Sequence, residues 1–253
     1  MKIRLALAAV AASAALLAGA VGAPAAQAAP STDAVAAKAA LDSIQPQPHD
    51  AASVIDGIAA ANAVLKQLGI TPFTPTIGAC TDFTFPLAVG GAVAGPKTPG
   101  LPDLPLLGIK NGDLTLNVLG TDHDLNAVKK GEVLYGFVPV GLINDSGDKS
   151  GMRVAWFNVN TFKGGLGEPM GGLSDTILDA VAKRIAAAGV PKALADGAVS
   201  PLKTALNILP SNGVRGGLVD TGAGTVLSAI YGTVKKGDAT CFFFPSLGIA
   251  TAK

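Results

Sequence analysis

The chain has 253 residues, 49% of them apolar, 15% charged and 5% aromatic, with 19 basic against 18 acidic side chains. That apolar content supports a packed core and excludes disorder driven by charge. The near balance of charge leaves no field able to gather nucleic acid or an anionic membrane by charge alone.

Residues 1–28 read as a secretory signal peptide. Met1-Lys2-Ile3-Arg4 is charged, Leu5 to Gly22 is apolar, and Ala26-Gln27-Ala28 places small residues where signal peptidase reads them. Gly19, Gly22 and Pro24 interrupt an Ala-rich stretch, which argues against a retained membrane helix, and no later stretch approaches roughly 18 uninterrupted apolar residues. Cleavage near Ala28 removes Lys2 and Arg4 from the 19 basic residues, leaving 17 against 18 acidic ones in an almost neutral mature chain. The expected location is secreted or associated with the cell envelope, with no membrane span in the mature chain.

Residues 29–72 form an N-terminal helical segment with a Pro-rich linker. Gln45-Pro46-Gln47-Pro48 must be extended. Asp50 can cap a helix carrying Val54, Ile55, Ile58, Ala61, Leu65 and Leu68 on one face, and Gly69 with Pro72 ends it. Aromatic residues are absent before Phe73 and cluster thereafter, which marks residues 73–253 as sheet. Strands are expected at Thr81–Phe85, at Leu114–Val118 behind the tight turn Asn111-Gly112, and at Glu132–Val140, Met152–Asn160, Arg215–Asp220, Thr225–Val234 and Thr240–Pro245. Trp156 is expected in the core beside Met152 and Val154. Between the strands, residues 173–209 read as an inserted helical hairpin. Ser174 starts its first helix and Gly189 ends it, while Ser200-Pro201 starts a second bearing Leu202, Leu206 and Leu209. It is expected to be an appendage rather than part of the β-core. The predicted fold class is mainly β, an immunoglobulin-like antiparallel β-sandwich with an N-terminal helix and an inserted α-helical hairpin.

Cys80 and Cys241 both lie in the exported part, and an even count outside the cytoplasm favours a disulfide. No further ligand stands at metal-site spacing. The bridge would span 161 positions, tie the first strand to the last and contribute on the order of 5 kcal/mol through loop closure.

Catalytic and cofactor fingerprints are missing. There is no Gly-x-Ser-x-Gly, and the glycine runs Gly90-Gly91, Gly164 to Gly167 and Gly222 to Gly224 lack the phosphate-binding patterns and read as turns and bulges. The plausible general base is His123, flanked by Asp122 and Asp124, although neighbours on a strand point to opposite faces. Glutamate occurs only at Glu132 and Glu168, which do not stand out as a glycosidase pair. Asp145, Asp148 and Ser150 match no calcium loop and read as a hairpin tip. In Cys241-Phe242-Phe243-Phe244-Pro245, alternation puts Phe242 and Phe244 on one face and Cys241 and Phe243 on the other. The expectation is a central strand covered on both sides, against the alternative of an exposed apolar patch or lipid-accessible groove.

The Ala-rich signal, Arg153-Val154-Ala155-Trp156-Phe157-Asn158 and Val219 to Leu227 resemble segments of small exported proteins, without assigned activity, from mycolate-bearing actinobacteria. The resemblance implies an envelope or secreted setting and carries over no site residue. The expected function is therefore non-enzymatic: an exported protein binding a lipid, another apolar envelope component or a protein partner, without cofactor, metal or nucleic acid. The alternative is a secreted, esterase-like hydrolase using His123 with Asp122 or Asp124.

Overall fold

The computed structural model describes residues 51–103, 109–118, 120–140, 148–190, 192–207 and 214–253. The signal peptide, the Pro-rich linker, Asp50, Asp145 and Leu209 lie outside the described residues.

The helix α1 (Ala51–Gln67) buries Ala61, Val64 and Leu65 and leaves Ile55 exposed, so its buried face is narrower than its apolar spacing implies. It ends where expected: Gly69, at φ 70°, donates to the Lys66 carbonyl and Ile70 to the Leu65 carbonyl, the paired bonds of a Schellman stop. Two strands follow, β1 (Thr71–Cys80) and β2 (Leu87–Ala94). A long excursion then carries the short hairpin β3 (Thr115–Val118) and β4 (Thr121–Asp124). The remaining elements are β5 (Glu132–Pro139), β6 (Met152–Asn158), β7 (Lys163–Leu166), β8 (Gly171–Gly172), α2 (Leu173–Ala188), α3 (Lys192–Leu206), β9 (Arg215–Asp220), β10 (Gly224–Lys236) and β11 (Ala239–Ala252).

Nine of the strands make one antiparallel sheet in the order β7-β6-β10-β11-β1-β2-β5-β9-β8. Its two end members are consecutive in the chain. Gly167 donates to the Val154 carbonyl and Met170 to the Met152 carbonyl, both at 2.8 Å. Residues 163–172 thus run as one interrupted strand with β6 on one side and β9 on the other, and the curled sheet closes on itself as a barrel of eight staves. The mainly β, antiparallel architecture is as expected. An immunoglobulin-like sandwich needs two facing sheets, whereas these strands share one.

The barrel interior is packed with side chains. Phe73, Tyr135, Phe137, Phe243, Met152, Val154, Met170 and Ile230 fill it, with half-buried Trp156 against them as its alternation with Met152 and Val154 predicts. Glycines make room for the rings: a Cβ on Gly78 would sit 2.8 Å from Phe243, and one on Gly248 would overlap Phe73. Bulges at Pro72/Pro75 in β1 and Ile230/Gly232 in β10 supply curvature. Pro72, Pro75 and Pro245 lack N–H donors, and side chains take over where β1 and β11 separate. Thr76 Oγ1 donates to the Phe244 carbonyl at 2.7 Å, Ser246 Oγ donates to the Thr74 carbonyl at 2.6 Å, and Leu247 N donates to Thr74 Oγ1 at 2.9 Å.

One half of the outer wall is covered. Val89, Val93, Leu134, Val138 and half-buried Leu218 point outward from β2, β5 and β9 into a second core shared with α1, α2, α3 and the excursion. A transverse row, Gly91, Gly136 and Gly216, lets the helix layer approach closely, since Cβ atoms there would meet Ile70, Leu65 and Leu173. The two later helices belong to this core: Leu173, Ile177, Val181, Leu202 and Leu206 are buried in it, so they are not a separable appendage. Ser174 does not cap α2, which begins one residue earlier, and Pro201 lies inside α3 instead of starting it. Thr81–Phe85 is a turn, not a strand, and Gly90-Gly91 lies within β2.

Candidate functional site

The other half of the wall, formed by β7, β6, β10, β11 and the end of β1, has no covering layer among the described residues. Strand alternation decides what it shows. On β11, Cys241, Phe243 and Ser246 turn inward, while Phe242 (56% exposed), Phe244 (62% exposed), Leu247 and Ile249 turn outward. Register extends the face sideways: Leu227 lies opposite Ile249 and also opposite Phe157, Ala229 lies between Leu247 and Ala155, and Leu166 faces Ala155 from β7. Ile77 and Ala79 continue it on β1. The ends of the long strands are polar, with Thr225 and Thr251 at one end and Lys235 and Thr240 at the other. At about 3.3 Å per residue and 4.8 Å between strands, the apolar centre covers roughly 20 Å by 15 Å.

Turns add aromatic side chains at both ends of this face. Phe162, in the β6–β7 turn, packs edge-on against Phe157 at 6.4 Å between ring centres, yet is 79% exposed. Phe83, in the β1–β2 turn, is 87% exposed, with Phe85 exposed beside it. That turn is held against the β10–β11 hairpin by Lys236 Nζ to Asp82 at 3.3 Å and by Thr240 N donating to Thr81 Oγ1 at 3.1 Å. Phe83 and Phe162 adopt left-handed backbone angles, φ 61° and 55°, which cost a bulky residue on the order of 1–3 kcal/mol. Both strained residues hold a phenyl ring in solvent beside the bare wall.

The run Cys241 to Pro245 is thus a strand that the described residues cover on one face only, where the expectation is cover on both. Helices do pack on this barrel, but over β2, β5 and β9. Pro245 has the character of a strand end, and for that reason the sequence reading misses Leu247 and Ile249. The signal that could have found them is the alternation Leu247-x-Ile249 opposite Leu227-x-Ala229.

The predicted disulfide is present: Cys80 and Cys241 are bonded and directly opposed in the β1–β11 ladder, joining the first and last barrel strands. Its place is the seam between the covered and bare walls.

His123 and its neighbours do not assemble into catalytic machinery among the described residues. His123 is half-buried on β4 opposite Leu116, and its ring takes no hydrogen bond from any described residue. Asp122 accepts from Asn117 Nδ2 at 2.7 Å. Asp124 accepts from the backbone N–H and Nδ2 of Asn126, a buried hub whose own Oδ1 receives Leu114 N and Thr98 Oγ1. Both carboxylates are committed to the excursion's own folding. Glu132 is likewise occupied, receiving Arg184 Nη2 at 2.7 and 3.0 Å and tying β5 to α2. Asp148 accepts the hydroxyl and N–H of Ser150 and pairs with Lys235 at 3.0 Å; these bonds hold its carboxyl below the ordinary range. No group of three or more potential metal ligands occurs among the described residues.

The same residues contain no helix long and apolar enough to cross a membrane. No family model, curated protein or solved structure matches the chain.

Proposed function

We propose that this is an exported, non-enzymatic protein of the cell envelope or its surroundings that docks an apolar partner through the bare wall of its barrel. The observation that carries the reading is the continuous outward set Phe242, Phe244, Leu247, Ile249, Leu227 and Phe157, exposed in a molecule that buries the outward apolar residues of β2, β5 and β9 under helices. A sheet with one solvated face ordinarily alternates apolar-in with polar-out; this wall departs from that rule in its centre and obeys it at its ends. Export is supported by the three-part N-terminal segment, the Cys80–Cys241 bond and the resemblance to actinobacterial exported proteins. The ring-filled interior favours the outer wall over the barrel lumen as the binding surface.

The test compares what copurifies from the native envelope with the intact chain and with a Phe242→Ser/Phe244→Ser variant, by mass spectrometry of lipids and proteins. The reading expects a component retained by the first and lost by the second. The same complement with both would remove the wall from the function.

A further inference from the structure

We infer that the occupant of the bare wall is the surface of a lipid bilayer carrying anionic headgroups, on which the barrel lies on its side. The inference rests on the reading of the wall as a docking surface and supplies the partner's chemistry. Two features favour lipid. The first is charge: β6, β7, β10 and β11 contain Arg153, Lys163, Lys235 and Lys236 and not one Asp or Glu. Lys235 and Lys236 are paired with Asp148 and Asp82, but Arg153, outward beside Tyr231, and Lys163, at the far end of β7, take no ion pair or hydrogen bond with any described residue. The acids nearest this face, Asp82, Asp148, Glu168 and Asp238, lie in the connecting turns, two of them already paired with lysines. An apolar centre whose own strands carry cations and no acid complements an interface where acyl chains lie just beneath phosphates.

The second feature is shape. The face is the outside of a closed barrel and is therefore convex. Two convex faces of the same kind meet along a line and would bring Arg153 and Lys163 near their own copies, which disfavours a second copy of the chain. A lipid surface deforms to fit and lets the rings of Phe83, Phe162, Phe242 and Phe244 enter the headgroup boundary. The mature chain's near-zero net charge does not oppose this, because the relevant charge is local and acts within about 8 Å at physiological salt.

The experiment is flotation of the full mature protein, disulfide intact, with phosphatidylcholine vesicles prepared with and without phosphatidylglycerol. The expected result is binding to the anionic vesicles that weakens with salt. Phe244→Asp/Leu247→Asp should weaken it by about 100-fold or more, since each lost apolar side chain alone is worth about tenfold or more. Arg153→Ser/Lys163→Ser should erase the preference for phosphatidylglycerol at about fivefold per charge. Ile55→Asp, on the exposed face of α1, should bind like the unaltered protein, and circular dichroism confirms that every variant is folded. Absence of binding to either vesicle, or undiminished binding by folded Phe244→Asp/Leu247→Asp, overturns the inference. A dimer seen by sedimentation and lost in that variant also overturns it, placing a second copy on the wall. If vesicles fail while the envelope component still depends on Phe242 and Phe244, the wall remains the docking surface and only lipid is removed.

Discussion

The two halves of the barrel wall share one backbone ladder and differ in what points outward. On β2, β5 and β9 the outward side chains are small or aliphatic, with Gly91, Gly136 and Gly216 in a row that admits Ile70, Leu65 and Leu173 at close range. On β6, β10 and β11 the outward set is large, led by Phe157, Phe242, Phe244 and Ile249, and nothing described lies on it. Close-packed cover requires grooves and gaps in the surface that receives it. The covered wall has them, whereas the bare wall presents bulk. The difference teaches that apolar character alone does not mark a core: the first surface is shaped to receive helices of its own chain, and the second is shaped to enter something else.

The largest expected effect comes from the seam between the halves. Replacing Cys80 and Cys241 with Ser unlocks β1 from β11, and removal of a disulfide closing a loop of this length should cost about 2–5 kcal/mol. Urea unfolding of the oxidised protein against the double variant measures it, and coincident midpoints would show that the ladder holds the seam unaided. Free-thiol labelling of the unfolded, unreduced protein should find no thiol.

Truncating one side chain on each wall tests the contrast directly. Leu65→Ala empties a fully buried position beneath α1 and should cost about 2–5 kcal/mol. Leu247→Ala trims an exposed position of similar chemistry and should change stability by no more than about 0.5 kcal/mol. Equal losses in thermal unfolding would mean that the bare wall is covered after all.

How much of this is legible in the sequence depends on whether a signal is local. α1, its stop at Gly69 and Ile70, the tight turn at Asn111-Gly112 and the alternation of Met152, Val154 and Trp156 follow from spacing within a few residues, and all are found. β1 is hidden by Pro72 and Pro75, which normally exclude a strand; here hydroxyls of Thr74 and Thr76 replace the missing ladder bonds across more than 160 positions of sequence. β2 is hidden by Gly90-Gly91, whose missing side chains serve neighbours distant in sequence: Ser246 and Ile230 inside, Ile70 outside. Closure of the sheet rests on residues 163–172 pairing with β6 and β9 at once, which no local pattern carries. For the site, alternation correctly puts Phe242 and Phe244 on one face. Whether a helix would cover that face is a tertiary fact, and there the expectation fails.

A smaller effect lies on a side-chain pair that joins the two halves through the lumen. Tyr135, on β5, and Ser228, on β10, are hydrogen-bonded at 2.7 Å, both buried. Tyr135→Phe strands the Ser228 hydroxyl and should cost about 1–2 kcal/mol, whereas Tyr135→Phe/Ser228→Ala, which removes both polar groups, should recover most of it. Burial pushes the Tyr135 phenol up to about 12 against the opposing effect of the Ser228 bond. Because the folded value is raised, this contribution is complete below about pH 10 and is lost as pH rises towards 12, at about 1.4 kcal/mol for each tenfold change in proton affinity. Alkaline melting of the wild type should therefore fall more steeply than that of Tyr135→Phe, and parallel curves would show that the phenol is not buried as described.

The smallest effect belongs to the rim of the bare wall. Asp148 is held below the ordinary carboxylate range first by the Ser150 hydroxyl, then by the Ser150 N–H, then by Lys235. A depressed folded value means that its contribution is complete above the ordinary carboxylate value near pH 4, shrinks progressively below it, and is gone once pH has fallen through the folded value. Asp148→Asn should thus melt slightly lower than the wild type at pH 7, with the gap closing at strongly acidic pH. A gap that persists there would mean that the turn depends on side-chain shape rather than charge. The same variant sharpens the contrast between the walls. It releases Lys235 from its partner at 3.0 Å and adds an unpaired cation to the rim. Binding to phosphatidylglycerol vesicles should then strengthen by up to about fivefold at low salt while stability falls, a divergence confined to the bare side of the barrel. Breaking the covered side's own ion pair with Glu132→Gln, which frees Arg184 on α2, should lower stability with no gain in binding. Two losses of charge pairing with opposite consequences for vesicles would separate a wall built for cover from a wall built for contact.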